Sequence, residues 1–190
     1  MFFKYSDIQL NVETIINDKS SDNAVIFLHG FTGCAKDWVF IISSLDKRFN
    51  YYFIDLIGHG RSDSPIEDHY YYIDSIVDQL KEIILSLPYK KVVLAGYSMG
   101  GRIALNFALQ NGTLLKGLIL ESSTWGISDV NLRKERVVRD EQLAEFIDNN
   151  SIDIFIDYWM KIDFFNTQKR LPNEVLVRIR ERKLENNKSD

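Results

Sequence analysis

The chain has 190 residues, 45% of them hydrophobic and 26% charged, with three prolines. That composition predicts a folded protein of one domain, or one domain with a modest insertion, and excludes disordered, collagenous and disulfide-dense classes. The formal net charge of −4 gives no excess positive field, so no nucleic acid and no anionic membrane surface is an expected partner, and a small-molecule ligand is.

The single Cys34 cannot form an intrachain disulfide, and the three histidines show no zinc-ligand spacing, so no metal is expected. The N-terminus, MFFKYSDIQLNVETI, is interrupted by Lys4, Asp7 and Asn11 and has neither a signal-peptide core nor a spanning helix. A reducing, cytoplasmic location is the expectation.

Lys4 to Ile15 alternates apolar and polar positions, as in an edge strand or hairpin, before a turn at Asn17 to Asn23. Ala24 to Leu28, Tyr51 to Leu56 and Val92 to Ala95 are short continuous apolar runs, the pattern of strands covered on both faces. Leu115 to Leu120 is a fourth, broken by Lys116 and Gly117. Helical stretches lie between them at Lys36 to Leu45, Tyr72 to Leu87 and Gly101 to Gln110, the last stopped by Asn111-Gly112. The alternation predicts an α/β fold, a mostly parallel sheet with helices on both faces, over residues 1–121. Ser122 to Asp190 has helical periods and no further buried strand, which predicts a helical cap over 122–190.

The chemistry-bearing motif is Gly96-Tyr97-Ser98-Met99-Gly100, between the strand Lys91 to Ala95 and the helix that opens at Gly101. Strand, G-x-S-x-G and helix stand in the order of a nucleophile elbow. The glycines leave room for a strained turn that lifts the Ser98 hydroxyl above the sheet as a nucleophile or base, beside the positive end of the following helix. After the first buried strand, Leu28-His29-Gly30-Phe31 supplies a loop whose Phe31 N–H could join that of Met99 as an oxyanion hole. His29 reads as a structural hydrogen-bonding residue, and His59, within Asp55-Leu56-Ile57-Gly58-His59-Gly60-Arg61-Ser62, as part of a turn that needs glycine torsions.

LHGF, DLIGHGRS and GYSMGGRIAL, in this order, resemble the α/β-hydrolase superfamily over about the first 120 residues. GYSMGGR, ESSTWG, the Glu135-Arg136 pair, FIDYW and the KRLP to RERKLENN stretch are similar, over nearly the whole chain, to the 2-succinyl-6-hydroxy-2,4-cyclohexadiene-1-carboxylate synthase family of menaquinone biosynthesis. The resemblance implies a cofactor-free carbon-oxygen lyase that abstracts a proton and eliminates pyruvate from a substrate with three carboxylates. It also implies Ser98 as the catalytic residue and Tyr97, Arg102, Arg136, Trp159 and Arg182 as substrate-binding residues, with Arg180 the alternative to Arg182. The competing readings are a general esterase and a non-catalytic anion-binding fragment. An esterase for neutral substrates has no use for three arginines that match a carboxylate bidentately.

Helix geometry bears on the arginines separately. Leu132, Arg136, Arg139, Leu143, Phe146 and Ile147 fall on one helix face, so two guanidinium groups are expected on an inward stripe, needing an acidic partner or an anionic ligand. Val175, Ile179 and Arg182 share a narrow arc that excludes Arg180. Arg102 lies one turn after Ser98, within reach of whatever the serine meets. Trp159, spaced with Ile152, Phe155 and Ile156, suits cap core and pocket wall equally.

The superfamily order is serine, acid, histidine, and His29, His59 and His69 all precede Ser98. The expectation is therefore a chain that lacks the last strands with their acid and histidine. Its turnover alone should be severely reduced, with Leu115 to Leu120 left as an exposed edge that invites aggregation or pairing with another chain, so a complementing C-terminal segment or a homo-oligomer is a candidate partner.

Overall fold

The computed structural model describes residues 1–185. The alternating N-terminal segment is a hairpin: β1 (Phe2–Tyr5) and β2 (Ile8–Ile15) pair antiparallel with Tyr5 opposite Ile8. β2 continues antiparallel onto β4 (Asn50–Ile54). The apolar runs β3 (Ala24–Leu28), β4, β5 (Val92–Tyr97) and β6 (Leu115–Glu121) pair in parallel. The six-stranded order is β1-β2-β4-β3-β5-β6. β3 and β4 are buried at every position, which is why their sequences lack the alternation of a half-exposed strand.

Two α-helices, α1 (Ile73–Ser86) and α2 (Met99–Asn111), cover one face of the sheet. Val77, Leu80, Ile83 and Ile84 of α1 join Ile103, Ala104 and Phe107 of α2 in a core with Ile26, Leu28 and Leu94. α1 stops at Ser86 because Leu87 precedes Pro88, whose ring pushes its neighbour into extended backbone. On the opposite face Val25, Phe27, Tyr51, Phe53 and Ala95 pack under Ala35, Trp38 and Leu45.

The cover there is not the α-helix expected over Lys36 to Leu45. It is two short segments of 3-10 helix, Ala35–Phe40 and Ile42–Ser44. Trp38-Val39-Phe40-Ile41-Ile42 is an aromatic and β-branched run of low helix propensity. The Cys34 N–H also donates to Asp37 Oδ2 at 3.1 Å, which tightens the first turn. β6 ends the sheet with Ile119 and Leu120 exposed. Its one lysine, Lys116, is drawn off to Asp22 O (2.6 Å) and Asn23 Oδ1 (3.1 Å).

The loops above the strand ends are tied by one buried carboxylate, Asp55, at the end of β4. Oδ1 accepts the Ala35 N–H at 2.5 Å. Oδ2 accepts Asn11 Nδ2 at 2.8 Å and the Arg61 N–H at 3.0 Å. Ser62 Oγ donates to the Asp55 carbonyl at 2.6 Å and accepts the Asn11 N–H at 2.9 Å. Gly60 takes a left-handed φ of 58° against this carboxylate, where a Cβ would strike it.

The described residues divide into two compact units, Met1–Thr124 and Trp125–Glu185. The second contains α3 (Val130–Asp148), α4 (Ile152–Trp159) and α5 (Asn173–Leu184). Asp129 caps α3 through Oδ1, which accepts the N–H groups of Asn131 (2.8 Å) and Leu132 (2.9 Å). The predicted cap, 122–190, extends five residues beyond the described ones.

Asp55→Ala would strand buried N–H donors from two loops and β2, each costing about 1–3 kcal/mol. The expected result is a marked fall in the urea midpoint, with Asp55→Asn, which keeps one acceptor oxygen, falling less.

Candidate functional site

β5 runs into Ser98, which stands at φ 51°, ψ −110°, before α2 begins at Met99. An L-residue is rarely held there, and such torsions cost of order 1–3 kcal/mol unless the surroundings fix them. The glycines explain how the turn closes. A Cβ on Gly96 would strike the Gly100 carbonyl, and one on Gly100 would strike the carbonyls of Leu28 and His29 at the end of β3. The Ser98 N–H donates to Glu121 O at 2.9 Å, and the Ser98 carbonyl accepts the Arg102 N–H at 3.1 Å. Ser98 is half-buried and no side chain caps the helix. The first N–H groups of α2 are those of a free helix start, oriented to meet negative charge.

The β3 loop lies against this elbow: a Cβ on Gly30 would come 2.9 Å from Tyr97 Cδ1 and 3.4 Å from Ser98 Cβ. The arrangement brings the backbone of the Phe31 loop and the start of α2 to the same end of β3 and β5. His29 is buried, and its tautomer follows from its partners. Its Nδ1 lies 2.8 Å from Gly30 O, which can only accept, so Nδ1 carries the proton. Nε2 accepts the Leu56 N–H at 3.0 Å. Both nitrogens are committed to backbone, which makes His29 a neutral fixture of the loop.

His59 is brought closer to the loop than its turn motif indicated. Its ring centroid lies 5.0 Å from that of His29 and 6.1 Å, edge-on, from that of Phe31, while Nδ1 donates to Ile57 O at 3.0 Å. His69 stacks on Tyr70 at 4.1 Å beside the N-terminal hairpin. No side chain among the described residues hydrogen-bonds the Ser98 hydroxyl.

Arg102 is exposed one turn into α2, and no carboxylate among the described residues pairs with it. Tyr97 pairs in register with Glu121 on β6. Burial raises the Tyr97 phenol above its ordinary value, and the Glu121 carboxylate adds to the rise by disfavouring a second negative charge.

In the second unit the arginines depart from the expected inward stripe. Arg136 is exposed, with Nε 2.7 Å from Asp140 Oδ1, and Arg139 is paired with Glu135 at 3.3 Å. Leu132, Val137 and Val138 of the same helix are exposed too. Charges ring the first half of α3, so it has no wide apolar face to bury, and each guanidinium finds its partner one turn away on its own helix.

On α5 the residues of the expected arc, Val175, Ile179 and Arg182, are all half-buried. Arg180 is the one that reaches across to α4, where Nε donates to Asp157 Oδ1 at 2.6 Å. That bond holds the Asp157 carboxyl below and the Arg180 guanidinium above their ordinary ranges. Arg182 is half-buried on the other flank and donates through Nε to Arg178 O at 3.3 Å. Trp159 is half-buried between Phe155 and Phe165, each 5.9 Å away by ring centroid, which gives it the packing of cap core.

With this geometry in place, comparison identifies the class. A sequence model of the alpha/beta hydrolase fold matches residues 23–172, and the chain belongs to that family. Among curated relatives, the putative 2-succinyl-6-hydroxy-2,4-cyclohexadiene-1-carboxylate synthase of Bacillus subtilis is 41% identical over 170 residues, covering 89% of this chain and 61% of its own length. The Enterobacter synthase of the same name is 31% identical over 156 residues, covering 82% of this chain and 59% of its own. The chain thus spans about three fifths of the length of these relatives. The solved structure of MenH from S. aureus superposes with a TM-score of 0.84 at 31% identity, over 91% of this chain and 65% of that one. No group of three or more metal-ligating side chains occurs among the described residues, and no helix among them is long and apolar enough to cross a membrane.

Two residues of the site escaped the sequence reading. Asp55 opens the DLIGHGRS motif, but only the fold reveals that its carboxylate ties the loops together. Ser123 sits in ESSTWG, and its hydroxyl bonds the elbow. A serine three residues past an apolar run has no periodic signature.

Titrating Tyr97 tests the electrostatics of this strand end. Because the folded protein holds the phenolic proton more tightly than the unfolded chain does, the stability it contributes is full below the unfolded value and is lost as pH rises through the folded one. The ultraviolet difference titration between the wild type and Tyr97→Phe should show a phenol above the ordinary range. Glu121→Gln should lower that midpoint without returning it to the ordinary value, since burial is the larger cause.

Proposed function

We propose that this chain carries the Ser98 half of a carbon-oxygen lyase of menaquinone biosynthesis, a 2-succinyl-6-hydroxy-2,4-cyclohexadiene-1-carboxylate synthase. The observation that carries the reading is Arg102: an exposed guanidinium with no carboxylate partner among the described residues, one turn beyond an elbow serine. The similarity to the synthases named above supports the same reading. The substrate, 2-succinyl-5-enolpyruvyl-6-hydroxy-3-cyclohexene-1-carboxylate, bears three carboxylates. An arginine stays charged and meets a carboxylate with a planar pair of donors.

In this reading the Ser98 hydroxyl first gives its own proton to a supplied imidazole, and its oxygen then takes the ring C–H proton; the freed electron pair shifts through the ring, the ring C–O bond breaks, and the released enolpyruvate takes up a proton to become pyruvate. The Phe31 and Met99 N–H groups stabilise the developing oxyanion. Tyr97, Arg102, Arg136, Trp159 and Arg182 bind the substrate, and the exposed Arg136–Asp140 pair is open to exchange for a substrate carboxylate. No cofactor takes part. A cytoplasmic location accords with the lone buried thiol of Cys34.

A serine hydroxyl without an imidazole bonded to it is a weak base. Pyruvate release by the 190-residue chain is therefore expected to be slow, and to rise when imidazole is added to the buffer or when a homologous C-terminal segment is supplied. Arg102→Ala should lower kcat/KM by about 10²-fold, since a charged hydrogen bond to a desolvated carboxylate is worth roughly 1.5–3 kcal/mol. Ser98→Ala should abolish release. Cleavage of simple esters without any pyruvate would assign the site to an esterase instead.

A further inference from the structure

Ser98 is gripped from both sides by the end of β6. Its N–H donates to Glu121 O at 2.9 Å. On the other side, Ser123 Oγ lies 3.1 Å from Ser98 O and 3.0 Å from Glu121 O. A hydroxyl has one proton, so Ser123 shares a single donor between these two carbonyls. The approach is close enough that a Cβ on Gly101 would overlap Ser123 Oγ. The neighbouring Ser122 is itself held at a positive φ of 50°, which aims the Ser123 side chain back at the elbow. All of these residues belong to the first unit.

The peptide between Ser98 and Met99 is planar and trans, so its carbonyl and its N–H point in opposite directions. Holding Ser98 O towards Ser123 therefore turns the Met99 N–H the other way, to the side where an oxyanion on the Ser98 reaction path would sit. The torsions at Ser98 are strained and persist only while neighbouring groups fix the peptide planes on either side. The Glu121 carbonyl fixes the plane before Ser98. Ser123 and the Arg102 N–H fix the plane after it.

We propose that Ser123 is a positioning residue: through the Ser98 carbonyl it sets the orientation of the Met99 N–H and so the strength of the oxyanion site. The inference rests on the reading of Ser98 and Met99 given above and deepens it. Ser123 touches no reacting atom. It also gives the ESST turn, which the sequence marks without assigning it a part, a function at the elbow.

The test uses the intact chain and phenylboronic acid, whose boron adds a serine oxygen to form a tetrahedral anion that mimics the oxyanion. Boronate affinity is read by calorimetry, and thermal unfolding is followed alongside. Ser123→Ala is expected to weaken affinity about tenfold, the equivalent of one hydrogen bond. Ser123→Thr keeps the hydroxyl and should restore affinity to within about threefold.

A purely structural serine would lower the melting temperature and leave affinity in the surviving fold unchanged. That outcome overturns the proposal, as does a wild type that takes up no boronate, or Ser123→Thr failing while Ser123→Ala binds normally. Pyruvate release is measured separately. A tenfold boronate effect in a chain that releases no pyruvate even with imidazole and a homologous C-terminal segment supplied keeps Ser123 in place and removes the lyase. Pyruvate release that is indifferent to Ser123, together with unchanged boronate binding, does the reverse.

Discussion

The site depends on how closely α2 can approach the ends of β3 and β5. At Gly96 and Gly100 the backbones meet where any Cβ would collide with a carbonyl. This contact is what permits Ser98 to sit at φ 51°. A more distant helix would let the chain leave the strand through ordinary torsions, and the hydroxyl would no longer stand at the crest of the turn. The neighbouring loop must then be held at matching height, and Asp55 does this from below by accepting N–H groups from two separate loops. A carboxylate suits the task because its two oxygens can take several donors at once, whereas an amide would have to turn one donor against another.

The same closeness determines what the histidines can be. His29 faces a backbone acceptor at one nitrogen and a backbone donor at the other. Protonating it would set Nε2–H against the Leu56 N–H inside a buried site. It therefore keeps the loop in shape and is withdrawn from proton transfer. His59 packs beside it at a tilt, with its Nδ1 also given to backbone. The two imidazoles nearest the Phe31 loop thus act as walls and struts.

Much of this was legible in the sequence, and the parts that were not share a cause. The buried strands declare themselves because β3 and β4 lack any polar alternation, and the elbow declares itself because only glycine tolerates the contacts around it. The 3-10 turns over Ala35–Phe40 and Ile42–Ser44 are hidden, since the spacing of Trp38 and Leu45 suits a helix while the β-branched residues between them do not. On α3 a stripe from Leu132 to Ile147 can be drawn at helical spacing, but spacing alone does not say that a stripe is buried. The exposed Leu132, Val137 and Val138 occupy different sides of the helix's first half, while Leu143, Phe146 and Ile147 are half-buried, so only the second half of the stripe packs. Arg180 and Arg182 mark the same limit. The arc containing Val175 and Ile179 locates one edge of the packed face, while Asp157, on another helix, engages Arg180.

The ion pairs of the second unit bear on the choice among its arginines. The Arg136–Asp140 pair is exposed and spans one helical turn, a geometry worth about 0.3–0.5 kcal/mol. Replacing Asp140 by a carboxylate of a multiply charged ligand therefore meets little resistance, so the pairing seen here is compatible with the proposal that Arg136 binds the substrate. Arg180 differs in kind. Its bond to Asp157 joins α5 to α4, so a ligand that captured this guanidinium would have to release one helix from the other. Arg102 stands apart from all of them. With no carboxylate to displace among the described residues, its full charge is open to whatever anion comes to rest beside Ser98.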